Sequence, residues 1–408
     1  MWLLDPLQPT GAQAEHAFRP TGGSMGWLVP LGIGVAALAM TLVGWVTTPE
    51  QFYFSWLVAW VFCLSITLGG LFFVLIQHLT RSRWSVVIRR IPEALIWSFP
   101  LLAILGIPVL LGMHDLYHWT HHELIDPTSP EFDPILAGKA GYLNVPFFLA
   151  RLGFYFISWS YLAFRMYTLS VRQDETGDPE ITVKLRKTAA WGIPVLAVTT
   201  AFASFDLLMS LDPHWFSTIF GVVFFGGSYL GVMAFMIFTA RLFQYRGMLK
   251  SSISAEHYHD LGKFLFGFTV FWTYVSFSQY MLIWYGNLPE ETVWYRHRLQ
   301  HGWEYNSAAL LAFHFVVPFI VLISRWAKRL LPLLTFMAVW TLVMHWFDLH
   351  WIAMPVLHEH STFHLLDFSA LLGIGGVWLG LIYFRLSRHS LVPQRDPRLG
   401  ASLGFMNH

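Results

Sequence analysis

The chain has 408 residues, of which 55% are hydrophobic and only 12% charged, with 20 Trp and 36 Phe and a mean hydropathy of +0.52. A soluble protein of this size keeps about a quarter of its residues charged, so most of this surface must face lipid or other subunits, and a net charge of +1 gives no reason to expect a nucleic-acid partner. Cys63 is the single cysteine, which excludes disulfides, Cys-ligated iron–sulfur clusters and zinc ribbons within the chain, as well as covalently attached c-type haem.

Residues 1–25 carry Asp5, Glu15 and Arg19 among Pro and Gly. They lack the basic start and short apolar core of a cleavable signal, so the first helix is expected to stay as an anchor. Spanning a bilayer takes roughly 20 apolar residues. Runs meeting this are predicted at 26–46, 53–77, 92–112, 144–165, 188–211, 215–240, 261–285, 305–324, 331–350 and 364–385. The runs are continuously apolar rather than alternating, so they predict an all-α, polytopic membrane protein of about ten helices and not a barrel. A membrane domain over 26–386 is then framed by segments 1–25 and 387–408.

Basic residues set the orientation. With the N-terminus inside, Arg19, Arg81–Arg90, Arg165–Lys187, Arg241–Lys263, Arg325–Arg329 and Arg385–Arg398 share one side. Only Lys139, Arg151, Arg296 and Arg298 fall on the other. The positive-inside rule therefore predicts cytoplasmic N- and C-termini.

The outer connections differ in kind. Residues 113–143 are rich in His, Asp and Pro, the stretch around Gly286–Trp303 holds Glu290 and Glu291 among Trp and Tyr, and a third lies near Leu349–Phe363. Their aromatics suit interfacial anchoring, and long outer loops suit docking of other subunits. Phe205-Asp206-Leu207 and Phe347-Asp348-Leu349 fall at the outer ends of the fifth and ninth helices. Those helices are four apart and run in the same direction, as a parallel duplication of a four-helix unit requires.

Ionisable groups inside a span cost roughly 2.5–3.5 kcal/mol each, so each one invites a functional reading. Glu93 lies near the inner end of the third helix, His314 near mid-membrane, and Asp206, His345, Asp348 and Asp367 in the outer third of theirs. A carboxylate beside an imidazole can hydrogen-bond a quinone carbonyl and accept a proton from the quinol. His345 and Asp348 are three apart and share a helix face, and Asp206 joins them if the fifth and ninth helices pack as repeat equivalents. The alternative is structural, with these groups snorkelling or pairing with Arg151. His314 reads as an interhelical hydrogen-bonding group, or with Glu93 as part of an inward proton route.

His114, His118 and His121 would share a helical face, yet Tyr117 and Trp119 mark an interfacial segment, and His358, His360 and His364 read the same way. No metal site is expected, nor a b-type haem between facing histidines. Gly227-x-x-x-Gly231 and Gly376-x-x-x-Gly380 allow close helix contact. No phosphate-binding loop or nucleotide fingerprint is present.

Two stretches, SFDLLMSLDPHWFSTIFGVVFFGGS over Ser204–Ser228 and SFSQYMLIWYGNLPEETVWYRHR over Ser276–Arg298, resemble the F subunit of bacterial alternative complex III. They also resemble, more widely, the NrfD-like, polysulfide-reductase-type membrane anchors. The resemblance implies two four-helix bundles, helices two to five and six to nine, flanked by helices one and ten. It also implies a place in the inner membrane within a quinol:cytochrome c oxidoreductase complex. There the chain would sit beside a paralogous C subunit, with multihaem cytochrome c and iron–sulfur subunits carrying the redox centres. No covalent cofactor is expected on this chain, and menaquinone is the implied ligand. Two other readings stay open: a secondary transporter or ion channel, and a purely structural anchor for periplasmic partners.

Overall fold

The computed structural model describes residues 25–407, and residues 1–24, with Arg19, and residue 408 lie outside the described residues. Among the described residues there is no strand, and nine helices are long and apolar enough to cross a membrane. These are α1 (Leu28–Thr47), α2 (Pro49–Leu79), α3 (Arg90–Leu111), α4 (Val145–Thr176), α5 (Pro179–Leu211 with its terminal 3-10 turn), α6 (Phe220–Tyr245), α8 (Trp303–Leu322), α9 (Leu331–Val356) and α10 (Leu365–Arg388). The remaining long helix, α7 (Ala255–Gly286), has 32 residues and spans about 48 Å at 1.5 Å per residue. Trp272, Thr273, Ser276 and Gln279 interrupt its apolar run.

Local chemistry sets the helix ends. The Asn144 side chain accepts from Phe147 N–H at 3.0 Å at the start of α4, and Gly177, at φ +67°, closes it in the left-handed conformation that glycine adopts without strain. Asp178 caps α5 through Glu180 N–H at 2.8 Å. The predicted 92–112 run is not one rod. It is broken into Arg90–Ile96, Phe99–Leu105 and Ile107–Leu111, with Pro92, Pro100 and Pro108 near the start of each piece. Each proline lacks an N–H and clashes with the turn before it. Polar groups freed at the breaks find partners: Ser98 donates to the Leu95 carbonyl at 2.7 Å and the Trp56 indole to Leu105 at 2.8 Å. Irregular backbone at membrane depth is tolerated on that condition.

α2 is the buried axis of the molecule and packs against α3, α5, α6, α9 and α10. α2–α5 form one bundle and α6–α9 a second, joined where α6 meets α2 and α5 and where α9 meets α2. Helices α1 and α10 flank the bundles together. They pair with each other against α2, because glycines let their backbones meet. A Cβ on Gly376 would lie 2.6 Å from the Gly34 Cα and the Pro30 carbonyl, and one on Gly380 2.9 Å from Leu31. A Gly376→Leu replacement is expected to lift α1 off α10 and destabilise the protein by about 1–3 kcal/mol. Denaturant unfolding in detergent would measure it, and an unchanged midpoint would show the contact to be slack.

The connections sort onto two sides. On one, Arg89 binds Asp396 at 2.6 Å, Arg90 binds Asp174 and Arg329 binds Glu256. The C-terminal residues are not a free tail there. Gln394 N–H reaches Asp174 at 2.8 Å, Ser402 Oγ donates to the Trp84 carbonyl at 2.7 Å, and His257 Nε2 lies 3.0 Å from the Ser402 carbonyl, so the strap crosses both bundles. On the opposite side Lys139 donates to the Pro213 carbonyl at 2.5 Å, Asp133 meets His214 and Arg298 donates to Ile352 at 2.6 Å. The sequence-predicted segregation of basic residues is thus carried by contacts.

Candidate functional site: an aromatic cavity in the second bundle

Trp272, Ser276, Gln279 and Tyr280 recur at three- and four-residue spacing on α7 and so share one face. That face, with Phe220 and Val223 of α6, Ser307 and Leu310 of α8, and Asp348 and Ile352 of α9, encloses a cavity of about 410 Å³. A short helix in the connection between α7 and α8, Pro289–His297, roofs it with Trp294 and Tyr295. The size and the mostly apolar, aromatic lining suit a small organic ligand.

The walls are held in place by hydrogen bonds. Gln279 donates to the Tyr295 hydroxyl at 3.1 Å and accepts from Ser217 at 3.4 Å. Trp294 stacks on Trp215 at 4.5 Å between centroids. The buried Arg298 guanidinium donates to the carbonyls of Trp294 at 2.8 Å and Ile352 at 2.6 Å, which fastens the roof to the end of α9. Trp351 donates to Ser307 at 2.9 Å.

Asp348 is the buried carboxylate of this cavity. It has no ion-pair partner among the described residues. Its polar neighbour is the Trp272 indole, whose N–H is out of hydrogen-bonding geometry. His314 stacks flat on the same indole, centroids 4.1 Å apart and planes 9° apart, and neither of its ring nitrogens has a partner. It lies in a π-helical stretch, Leu310–Val316, and such stretches concentrate at functional sites. His345 is buried one turn further in, with Nε2 2.8 Å from Ser65 Oγ of α2 and Nδ1 free of partners. Gly227 and Gly231 make room for it: a Cβ on either would meet the imidazole at 3.0 or 3.2 Å. That glycine pair therefore houses a ring as well as easing helix contact.

Three residues of an α-helix turn through about 300°, which leaves Asp348 and His345 about 60° apart. Asp348 faces the cavity and His345 the junction of α2, α6 and α9. Asp206 does not join them. It lies in the first bundle, held by Arg151 through Nε at 3.0 Å and Nη2 at 2.8 Å and by the Tyr155 hydroxyl at 2.8 Å, while Arg151 also packs 3.8 Å over the Tyr142 ring. The same tripeptide thus occurs in α5 and α9, with one acid neutralised and the other open to a cavity. Glu93 is likewise engaged: it pairs with Arg89 at 3.0 Å and Arg90 at 3.1 Å and accepts from Ser170 at 2.8 and 2.9 Å. Asp367, also in the outer third of its span, accepts from Ser55 at 2.5 Å and Gln51 at 3.0 Å.

The outer histidines also rearrange. His114, His118 and His121 do not share a helix face, because the backbone turns extended at Tyr117. His114 and His121 instead stack at 4.0 Å. His301, Glu359 and His360, from two outer connections, bring ligand atoms within 4.8 Å of one another, so the residues able to hold an ion include a histidine, His301, that the sequence did not single out.

Sequence reasoning missed Trp272, Ser276, Gln279 and Tyr295. The one available signal was the polar stripe on α7, which keeps it out of the nine helices apolar enough to cross a membrane. The fold and the cavity define a polytopic, all-helical membrane protein with a ligand-sized aromatic chamber near one membrane face. No protein-family model and no curated protein matches the chain.

Proposed function

We propose that this chain is the membrane subunit of a quinol:electron-acceptor oxidoreductase of the alternative complex III type, set in the cell membrane with its basic side and both termini in the cytoplasm. The quinol ring enters the outer cavity from the lipid, between aromatic walls. Asp348 accepts the two hydroxyl protons one after the other, releasing the first along the polar path that His314 and His345 extend inward before it takes the second, as the quinol gives up two electrons. Electrons leave to redox centres on partner chains: the iron–sulfur and multihaem cytochrome subunits, next to a paralogous anchor. Menaquinol fits the lining, since its fused ring offers more area to Trp272 and Trp294 than a single ring does. The observation that carries this reading is an unpaired carboxylate buried in an aromatic chamber, which costs several kcal/mol to maintain unless it is used. Asp206 and Glu93, both ion-paired, act as structural groups.

In the assembled complex Asp348→Asn is expected to lower quinol oxidation on the order of a hundredfold while leaving subunit composition intact. Full activity with an unaltered pH profile would end the proposal. The π-helical stretch in α8 and the broken α3 favour a second reading, a proton- or ion-conducting subunit, because interrupted helices are common in transporters. Ion flux through the isolated chain in proteoliposomes, abolished by His345→Leu, would select it.

A further inference from the structure

A second polar feature lies at the opposite membrane face. At the inner end of α6, Arg241, Gln244 and Tyr245, together with Lys250 and Ile253 of the next connection and Leu331 at the start of α9, enclose a recess of about 400 Å³. No carboxylate lines it, and among the described residues neither Arg241 nor Lys250 has an ion-pair partner. Arg241 is nevertheless fixed. Gln244 is pinned by donating to the Ile253 carbonyl at 2.8 Å, so its Oε1 faces inward and accepts from Arg241 Nη1 at 2.8 Å and from the Tyr258 hydroxyl at 3.0 Å. The guanidinium lies over the Tyr245 and Tyr258 rings at 4.9 and 5.8 Å, and its Nε–H is buried without a partner. All of Arg241's partners are neutral. The connection is held in shape by Leu249 at φ +58° and Gly247 at φ +88°.

From this geometry we infer an anionic-phospholipid headgroup site: Arg241 and Lys250 clasp the phosphate, and Leu331 and Ile253 receive the glycerol and first acyl carbons. A planar guanidinium whose Nη1 is spent on Gln244 and whose Nη2 makes no hydrogen bond among the described residues and is not buried matches a phosphate oxygen. Basic pockets between helix ends on the cytoplasmic side are where anionic lipid headgroups bind. The recess stands at the right depth, since Tyr245 beside it is 71% exposed at the level where interfacial aromatics anchor a helix. Its half-apolar lining favours a lipid over free phosphate.

The test uses the full chain purified in mild detergent with whatever subunits accompany it. Native mass spectrometry would titrate phosphatidylglycerol, phosphatidylcholine and inorganic phosphate against the wild type, Arg241→Gln and Lys250→Gln. Phosphatidylglycerol should bind more tightly than phosphatidylcholine and lose about fivefold in affinity for each charge removed, with inorganic phosphate failing to compete. Equal binding of the two lipids, or phosphatidylglycerol binding unmoved in both variants, would overturn the site. Competition by inorganic phosphate that Arg241→Gln abolishes would overturn the lipid assignment and leave a plain phosphate site. Lys250 is exposed, so its variant stays informative if Arg241→Gln does not fold.

Discussion

Replacing Asp206 with Asn is expected to destabilise the protein by about 3–5 kcal/mol. Arg151 donates two hydrogen bonds to this carboxylate and is itself largely buried. An amide keeps one acceptor but removes the charge, and the guanidinium is left under aromatic rings without a counter-ion. Water cannot reach it cheaply at that depth. The double replacement Arg151→Met with Asp206→Leu should recover most of the loss, because it removes both charges instead of stranding one. Denaturant titration in bicelles would compare the three. If the single and double variants fall equally, the ion pair is not what holds α4 to α5. Asp348→Asn should leave stability unchanged or raised, because that acid has no partner to abandon. Two acids in the same tripeptide context therefore separate by opposite outcomes.

The second large effect is expected at Glu93. Three cations, Arg89, Arg90 and Arg398, meet three carboxylates, Glu93, Asp174 and Asp396, around the start of α3 and the end of α4. Glu93 serves two of the arginines, and all three side chains are fully buried or nearly so. Glu93→Gln leaves more positive than negative charge there and should cost on the order of 3 kcal/mol. The C-terminal strap should loosen with it, which trypsin cleavage at Arg395 and Arg398 would report. The same cluster sets a pH dependence. Burial opposes the charge on Asp396, but the Arg89 charge and the Arg398 hydrogen bonds outweigh it and hold this carboxyl well below the usual carboxylate range. A depressed value means its stabilisation is present above the ordinary carboxylate range and is lost only as pH falls through the lowered value. Cleavage should therefore stay flat from about pH 8 to about pH 5, whereas Asp396→Asn should be cut readily at neutral pH.

Much of the architecture was legible because hydrocarbon imposes so simple a demand. Long apolar runs had to be helices, and the placement of Arg81–Arg90 or Arg325–Arg329 had to mark one side. The Arg151–Asp206 pair was foreseen as the structural alternative, since both residues project into spans where either alone would be costly. The break of α3 into three pieces was written in Pro92, Pro100 and Pro108 at even spacing, although composition alone shows one apolar run. Less could be read at the site. His345 and Asp348 are neighbours in sequence, yet which helix each faces depends on where α2 and α7 pack. A cavity is a shape that the residues around it leave unfilled, and no residue type announces it. Arg89 and Asp396 lie 307 positions apart, and nothing local to either predicts their meeting.

The inner strap carries a consequence for how the chain is made. Arg89 leaves the ribosome 307 residues ahead of Asp396, its buried partner. Until the strap follows, one acidic partner of the arginine cluster is missing, and the strap's bonds to Asp174, Trp84 and His257 are unmade. A product cut short after α10 would carry all ten long helices described above and still be left unfastened, open to quality-control proteases.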